Sequence, residues 1–258
     1  MNPWTIAIPS AIAAGIAGLT AYGAVHPRSQ LFGHTVHNTP SPKLLALTFD
    51  DGPNPAITPK LLDLLAKHNA KATFFLVGRF VEQCPALVKE IIARGHLVGN
   101  HTQTHPNLFF CSPKETHDEL QRCTEAIHNA TLEPPHWFRP PYGFRNPWLG
   151  GITQHLGLTT AMWSLLPGDW RVKPPQWLID RMKPITAHAQ ENLPKKNVTP
   201  RSALATGDIV CLHDGSHAAL NGDRTATLAA LAYWLPRWRD LGLQFVTMDE
   251  IKRKAVEA

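Results

Sequence analysis

Two aspartates, Asp50 and Asp51, stand side by side after the apolar run LLALTF and before Gly-Pro. Adjacent carboxylates repel each other, so the pair makes physical sense if something nearby takes up part of the charge. A divalent cation would do so. With Asp51 turned toward the cation, Asp50 is left to accept a proton from water that the cation has acidified. His101 and His105 supply two imidazoles four residues apart, a spacing that puts both on one face of a helical turn. One carboxylate and two imidazoles form a common three-ligand set for catalytic zinc, with a position left for water. The spacing alone carries little weight: among 14 histidines in 258 residues such a pair arises by chance about once, and His213 with His217 makes a second. Placement after a predicted strand, with a carboxylate available, is what raises the first pair.

Further polar groups follow other predicted strands. Arg139, in FRPPYG, would hold Asp50 ionised through a charge-assisted contact. His213, closing the strand DIVCLH, is suited to act as a general acid, its pKa raised if Asp169 of GDWR lies near. Each has a plainer reading: DDGP as a turn, Arg139 as a salt-bridge residue, Trp170 as core, His213 as a satisfied buried histidine. Asp214 reads as a turn residue. Asp63, His68, His117, His128 and His155 fall in predicted helices and are expected to face solvent.

The elements that would position these groups alternate. Apolar runs at 44–49, 72–77, 96–100, 136–138, 159–164, 208–213 and 243–248 read as strands. Amphipathic stretches at 58–70, 85–95, 112–127, near 147–156, 175–190 and 224–241 read as helices, the third opening with the capping box Ser112–Glu115 and Pro113 at its first position. Repeated β-then-α units imply a parallel sheet, closed as a barrel or open and doubly wound. No G-x-G-x-x-G follows the first strand, which counts against dinucleotide binding.

Composition sets the frame. With 43 % hydrophobic and 17 % charged residues, the chain can bury a substantial core and is not disordered. The net charge of +5 comes from scattered Lys and Arg, which suits an anionic surface without arguing for nucleic acid. Residues 1–27 contain no Asp, Glu, Lys or Arg, and 4–25 have about the length of a ~30 Å membrane span or the apolar core of a secretory signal. The first cation is Arg28; the positive-inside rule alone would leave the rest in the cytoplasm, whereas an apolar leader of this length predicts an exported domain, either membrane-anchored through this helix or secreted after cleavage. Residues 1–25 are then anchor or signal, 26–43 a linker, 44–250 the catalytic domain and 251–258 a tail. No CxxC is present, and Cys111 and Cys123, separated by a predicted helical segment, would lie ~18 Å apart, too far for a disulfide.

Taken in order, TFDDGP, H-T-x-x-H, RPPYG, DW and IVCLHD resemble the NodB-like polysaccharide deacetylases, carbohydrate esterase family 4, over residues 44 to about 250. The resemblance implies a distorted (β/α) barrel with fewer than eight regular units, here preceded by the N-terminal hydrophobic helix. It implies that Asp51, His101 and His105 bind the metal, that Asp50 is the base oriented by Arg139, and that His213 is the acid supported by Asp169. The backbone N–H of Tyr142 would help stabilise the oxyanion, and Trp170 and Cys211 would form the acetyl-methyl pocket. Zinc suits such a set best; cobalt, nickel or iron would also bind. The implied substrate is an N-acetylglucosamine-containing glycan, with envelope peptidoglycan ahead of chitin fragments. Two positions depart from the pattern: Leu166 stands where an Asp is usual, and Cys211 where Leu is frequent. The rival readings are an amidase for a non-sugar amide or cyclic imide, and an inactive glycan-binding domain.

Overall fold

The computed structural model describes residues 4–192 and 206–256; residues 1–3 of the expected anchor and 257–258 of the expected tail lie outside them. Helix α1 (Trp4–Val25) leads into two short strands, β1 (Thr35–Val36) and β2 (Asn38–Thr39). Then come β3 (Leu44–Gly52) with α2 (Thr58–Lys67), β4 (Ala72–Leu76) with α3 (Gly78–Gln83) and α4 (Pro85–Ala93), and β5 (Leu97–Asn100) with α5 (Pro113–Thr131). β6 (Trp137–Phe138) with α6 (Leu149–His155) and β7 (Thr159–Ala161) with α7 (Pro175–Arg181) and α8 (Lys183–Asn192) continue the alternation. β8 (Gly207–His213), α9 (Thr225–Asp240), β9 (Gln244–Phe245) and α10 (Met248–Val256) close it.

The strands lie in the order β1-β7-β6-β5-β4-β3-β8-β2, with β9 pairing to β3. Every pair is parallel except β2 with β8. Only His37 separates β1 from β2, so one short extended stretch pairs with β7 at one end and β8 at the other. It draws the two edges of the sheet together, and the result is a near-closed α/β barrel.

The two-residue period of a strand divides β3 between two environments. Leu45, Leu47 and Phe49 point outward into the main core with Leu61, Leu62 and Leu65 of α2 and Trp238 of α9. Leu44 and Ala46 point inward, into a cluster with Phe75, Trp137, Ala161 and Ile209. Thr48 and Asp50 continue that inward row upward and meet Arg139. The interior is therefore apolar at the bottom and polar at the top, where parallel strands end and functional groups collect.

Three expectations need correction. Residues 251–256, expected as tail, belong to helix α10, and Met248 and Ile251 join the inward apolar cluster, plugging the bottom of the barrel. The signal was present: Thr247 and Glu250 exchange hydrogen bonds as a capping box at the start of α10. Residues 26–43 are not a free linker, since they carry the strands that close the barrel and are clasped by buried Arg145. Its Nη1 and Nη2 donate to the carbonyls of Ser29 and His26 at 2.7 and 2.6 Å, and its backbone N–H to Ala24 at 3.0 Å. Burial lowers the Arg145 pKa to about 10. The segment 4–25 is helical, but no helix among the described residues is long and apolar enough to cross a membrane. All four cysteines are free.

Removing the Arg145 fork strands buried carbonyls, at a cost of about 2 kcal/mol. Arg145→Ala should raise amide hydrogen exchange over residues 24–36 by roughly 30-fold; unchanged exchange would show that another contact holds this segment.

Candidate active site

β3 delivers its two carboxylates differently. By simple alternation Asp51 would face the helices while Asp50 faces the interior. The pairing register with β4 shifts between Asp50 and Gly52, and Asp51 takes the left-handed conformation, φ 68°. The bulge turns Asp51 back toward the cavity, so both carboxylates serve one site. Gly215 makes room for this backbone: a Cβ there would lie 2.0 Å from the Asp51 carbonyl oxygen.

Asp50 Oδ1 accepts from Arg139 Nη1 at 2.9 Å. The guanidinium is fully buried, and its other bonds go to Thr48 Oγ1 and to the carbonyls of Ala161 and Met162, with the Phe75 ring 4.2 Å away. Asp50 Oδ2 faces the cavity, where the Cys211 thiol donates to it at 3.3 Å. Burial and the Asp50 charge push the Cys211 pKa well up.

His101 and His105 meet at Asp51, but not through a helical turn. They sit on a loop in which Thr102 and His105 both have positive φ, 66° and 65°. Asn100 Oδ1 accepts from the Thr102 N–H, Thr102 Oγ1 from the His105 N–H, and Glu119 of α5 from the N–H and hydroxyl of Thr104. Asp51 Oδ1 lies 3.6 Å from His101 Nε2 and 3.2 Å from His105 Nε2. His101 Nδ1 is 2.7 Å from the Arg139 carbonyl, which fixes it as the protonated nitrogen and leaves Nε2 as the donor. Burial lowers the His101 pKa to about 4, so the ring is neutral. Burial opposes ionisation of Asp51, yet the imidazoles of His105 and His217 hold its carboxyl well below the usual range. Asp51 Oδ1 is buried with no hydrogen-bond partner among the described residues. An orphaned carboxylate oxygen facing two imidazole nitrogens fits a divalent cation, and Asp51, His101 and His105 are the residues that would hold it.

His213 pairs with Asp50 in the β3–β8 register. Its Nδ1 is 2.7 Å from Asp169 Oδ1, its N–H donates to Oδ2 at 2.8 Å, and Thr227 Oγ1 donates to the same Oδ2 at 2.9 Å. Burial works to lower the His213 pKa, but the Asp169 charge and hydrogen bond, with Asp51 and Asp50 behind them, carry it up to about 9. Trp170, expected in the core in its plain reading, is instead 42 % exposed with its ring 5.3 Å from His213, on the wall of a cavity of about 370 Å³. Tyr142, φ 57°, and Leu166 line the same cavity.

Sequence reasoning missed two residues here. Asp214, read as a turn residue, is buried; its carboxylate accepts from Thr58 Oγ1, and burial raises its pKa to about 7 against that bond. His217 stacks on His105 at 4.3 Å, places Nδ1 3.7 Å from Asp51 Oδ2, and has Nε2 3.3 Å from the Tyr142 hydroxyl. The only hint was its spacing from His213, yet its partners are His105 and Asp51, which no local pattern reveals.

The family model for polysaccharide deacetylases matches residues 37–161. A peptidoglycan-N-acetylglucosamine deacetylase of Bacillus cereus is 36 % identical over 211 residues, covering 82 % of this chain and 89 % of that protein. The chain belongs to the polysaccharide deacetylase family. A chitooligosaccharide deacetylase of a Bradyrhizobium species is 34 % identical over 80 % of this chain and 89 % of its own. Among solved structures, the Bc1960 peptidoglycan N-acetylglucosamine deacetylase superposes with a TM-score of 0.70 at 28 % identity, over 84 % of this chain and 91 % of that one. A pseudoenzyme of carbohydrate esterase family 4 from Bacillus anthracis superposes with 0.68 at 28 % identity, over 84 % and 68 %. Membership therefore does not decide catalysis; the side chains in the cavity bear on it.

Asp169→Asn removes the charge that holds the His213 proton. In the metal-free protein the His213 ring should titrate near pH 9, and in the variant well below that, by NMR of labelled histidine; the same pKa in both would exclude Asp169 as the cause. Because the folded-state value is raised, the stability this pair adds is complete below about pH 6.5 and disappears as pH rises through about 9.

Proposed function

We propose that this chain is a divalent-cation-dependent hydrolase that removes N-acetyl groups from N-acetylglucosamine units of a polysaccharide, releasing acetate and a free amine. The observation that carries the reading is the meeting, in one cavity, of the Asp51/His101/His105 set with an Arg139-paired carboxylate and an Asp169-paired imidazole. A cation held by that set supplies acidified water and polarises the amide carbonyl. Asp50, with Oδ1 fixed by Arg139, takes the proton of the attacking water at Oδ2. His213, with Nδ1 committed to Asp169, keeps Nε2 toward the cavity and gives its proton to the departing nitrogen. The Tyr142 N–H is assigned to the developing oxyanion, and Trp170 and Cys211 to the acetyl methyl. The Asp/His/His donors favour zinc over hard cations.

Peptidoglycan is the preferred substrate over chitin oligomers, supported by the Bacillus cereus relative and the net positive charge, which suits an anionic envelope. The catalytic domain accordingly works outside the cytoplasm. An inactive glycan-binding role is disfavoured because such a module has no use for Asp50 and His213, and a non-sugar amidase has no observation in its favour.

The decisive experiment measures metal content and acetate release from peptidoglycan and from chitin oligomers on one sample. About one cation per chain with chelator-sensitive acetate release is expected; no acetate from either glycan would overturn the reading. Asp50→Asn should retain the cation and lose turnover by about 10²-fold or more. Near-normal turnover would take Asp50 out of the mechanism.

A further inference from the structure

Asp50, Cys211 and His213 form a second group of donors beside the first, with one ligand atom from each lying within 4.8 Å of the others. The grouping follows from the sheet. β3 and β8 are parallel neighbours, with Thr48 opposite Cys211 and Asp50 opposite His213, so the inward-facing positions of both strands converge at the top of the barrel. The thiol already donates to Asp50 Oδ2 at 3.3 Å. Asp50 Oδ1 is occupied by Arg139 and His213 Nδ1 by Asp169, which leaves Oδ2, Sγ and Nε2 as the groups free to converge. Carboxylate, thiolate and imidazole make a three-ligand zinc set, and the sulfur biases it toward thiophilic cations over magnesium or calcium.

We propose that Asp50, Cys211 and His213 constitute a second, inhibitory cation site, filled by a thiophilic divalent cation once the Asp51/His101/His105 set is loaded. Binding replaces the Cys211 S–H bond and the His213 Nε2–H bond by bonds to the cation; both protons leave to solvent and nothing is oxidised. The site fills second because its thiol must lose a proton and its bond to Asp50, and His213 Nε2 its own proton, whereas Asp51 Oδ1 has no hydrogen bond to give up. Its effect on turnover rests on the deacetylase reading, since the cation would occupy the base and acid assigned there. Asp50 Oδ2 lies 3.9 Å from His101 Nε2, so the two sites adjoin. The switch depends on Cys211, because a leucine at that position offers no donor.

The test is a cobalt(II) titration of the metal-stripped full chain, followed by absorbance and elemental analysis, beside Cys211→Leu and Asp51→Ala. The unsubstituted protein should take up two equivalents, with a thiolate-to-cobalt charge-transfer band growing with the second. Cys211→Leu should take up one and show no band, and Asp51→Ala should keep the band. Separately, zinc beyond one equivalent should abolish acetate release by the unsubstituted protein but not the residual activity of Cys211→Leu. A single equivalent without the band, a band that survives Cys211→Leu, or equal inhibition of both proteins would overturn the proposal. If no zinc concentration gives acetate release, the deacetylase reading fails, while the cobalt band still decides whether the second site exists.

Discussion

A guanidinium buried inside a barrel has to be neutralised and fully hydrogen-bonded, and in this molecule Arg139 sets that requirement. Leaving such a charge unpaired costs several kcal/mol, so its surroundings are tightly constrained. Asp50 supplies the counter-charge, Thr48 and two carbonyls of the β7 end fill the remaining donors, and Phe75 gives it a flat apolar seat. Those partners come from β3, β4 and the end of β7, so the pair ties together strands on different sides of the barrel. The Arg139 carbonyl also orients His101. One residue thus joins the carboxylate assigned as base to the set assigned to the cation.

Backbone conformation does the rest of the positioning. Asp51, Thr102, His105 and Tyr142 all have positive φ without being glycine, a costly choice that clusters at sites where surrounding bonds over-determine it. Here those bonds are visible: the Asn100 and Thr102 side chains and Glu119 fix the histidine loop, and the sheet register on either side of the bulge fixes Asp51. The barrel beneath is held shut by the segment 35–39 and plugged by α10, so the strands that end at the cavity have a rigid base.

Much of this was legible in the chain itself. The buried strands are continuous apolar runs, α5 carries its capping box, and the ten residues singled out for chemistry lie in the last residues of strands or in the loops beyond them. A parallel sheet brings those ends to one side whatever its detailed geometry, so placing polar residues after strands is enough to gather them. The capping box at Thr247 was equally readable and shows that α10 was overlooked rather than hidden.

What the chain alone determined is the inventory: which donors exist, and that strand ends would collect them. Tertiary structure decided the rest. It turned Asp51 against the strand alternation, carried His105 on a left-handed loop in place of a helical turn, buried Asp214, set His217 against His105, and folded residues 26–43 into the closure of the barrel. Each of these depends on contacts between residues far apart in sequence, and local spacing records only near neighbours. A bulge, a positive φ or a stacked ring is fixed by the partner across the cavity.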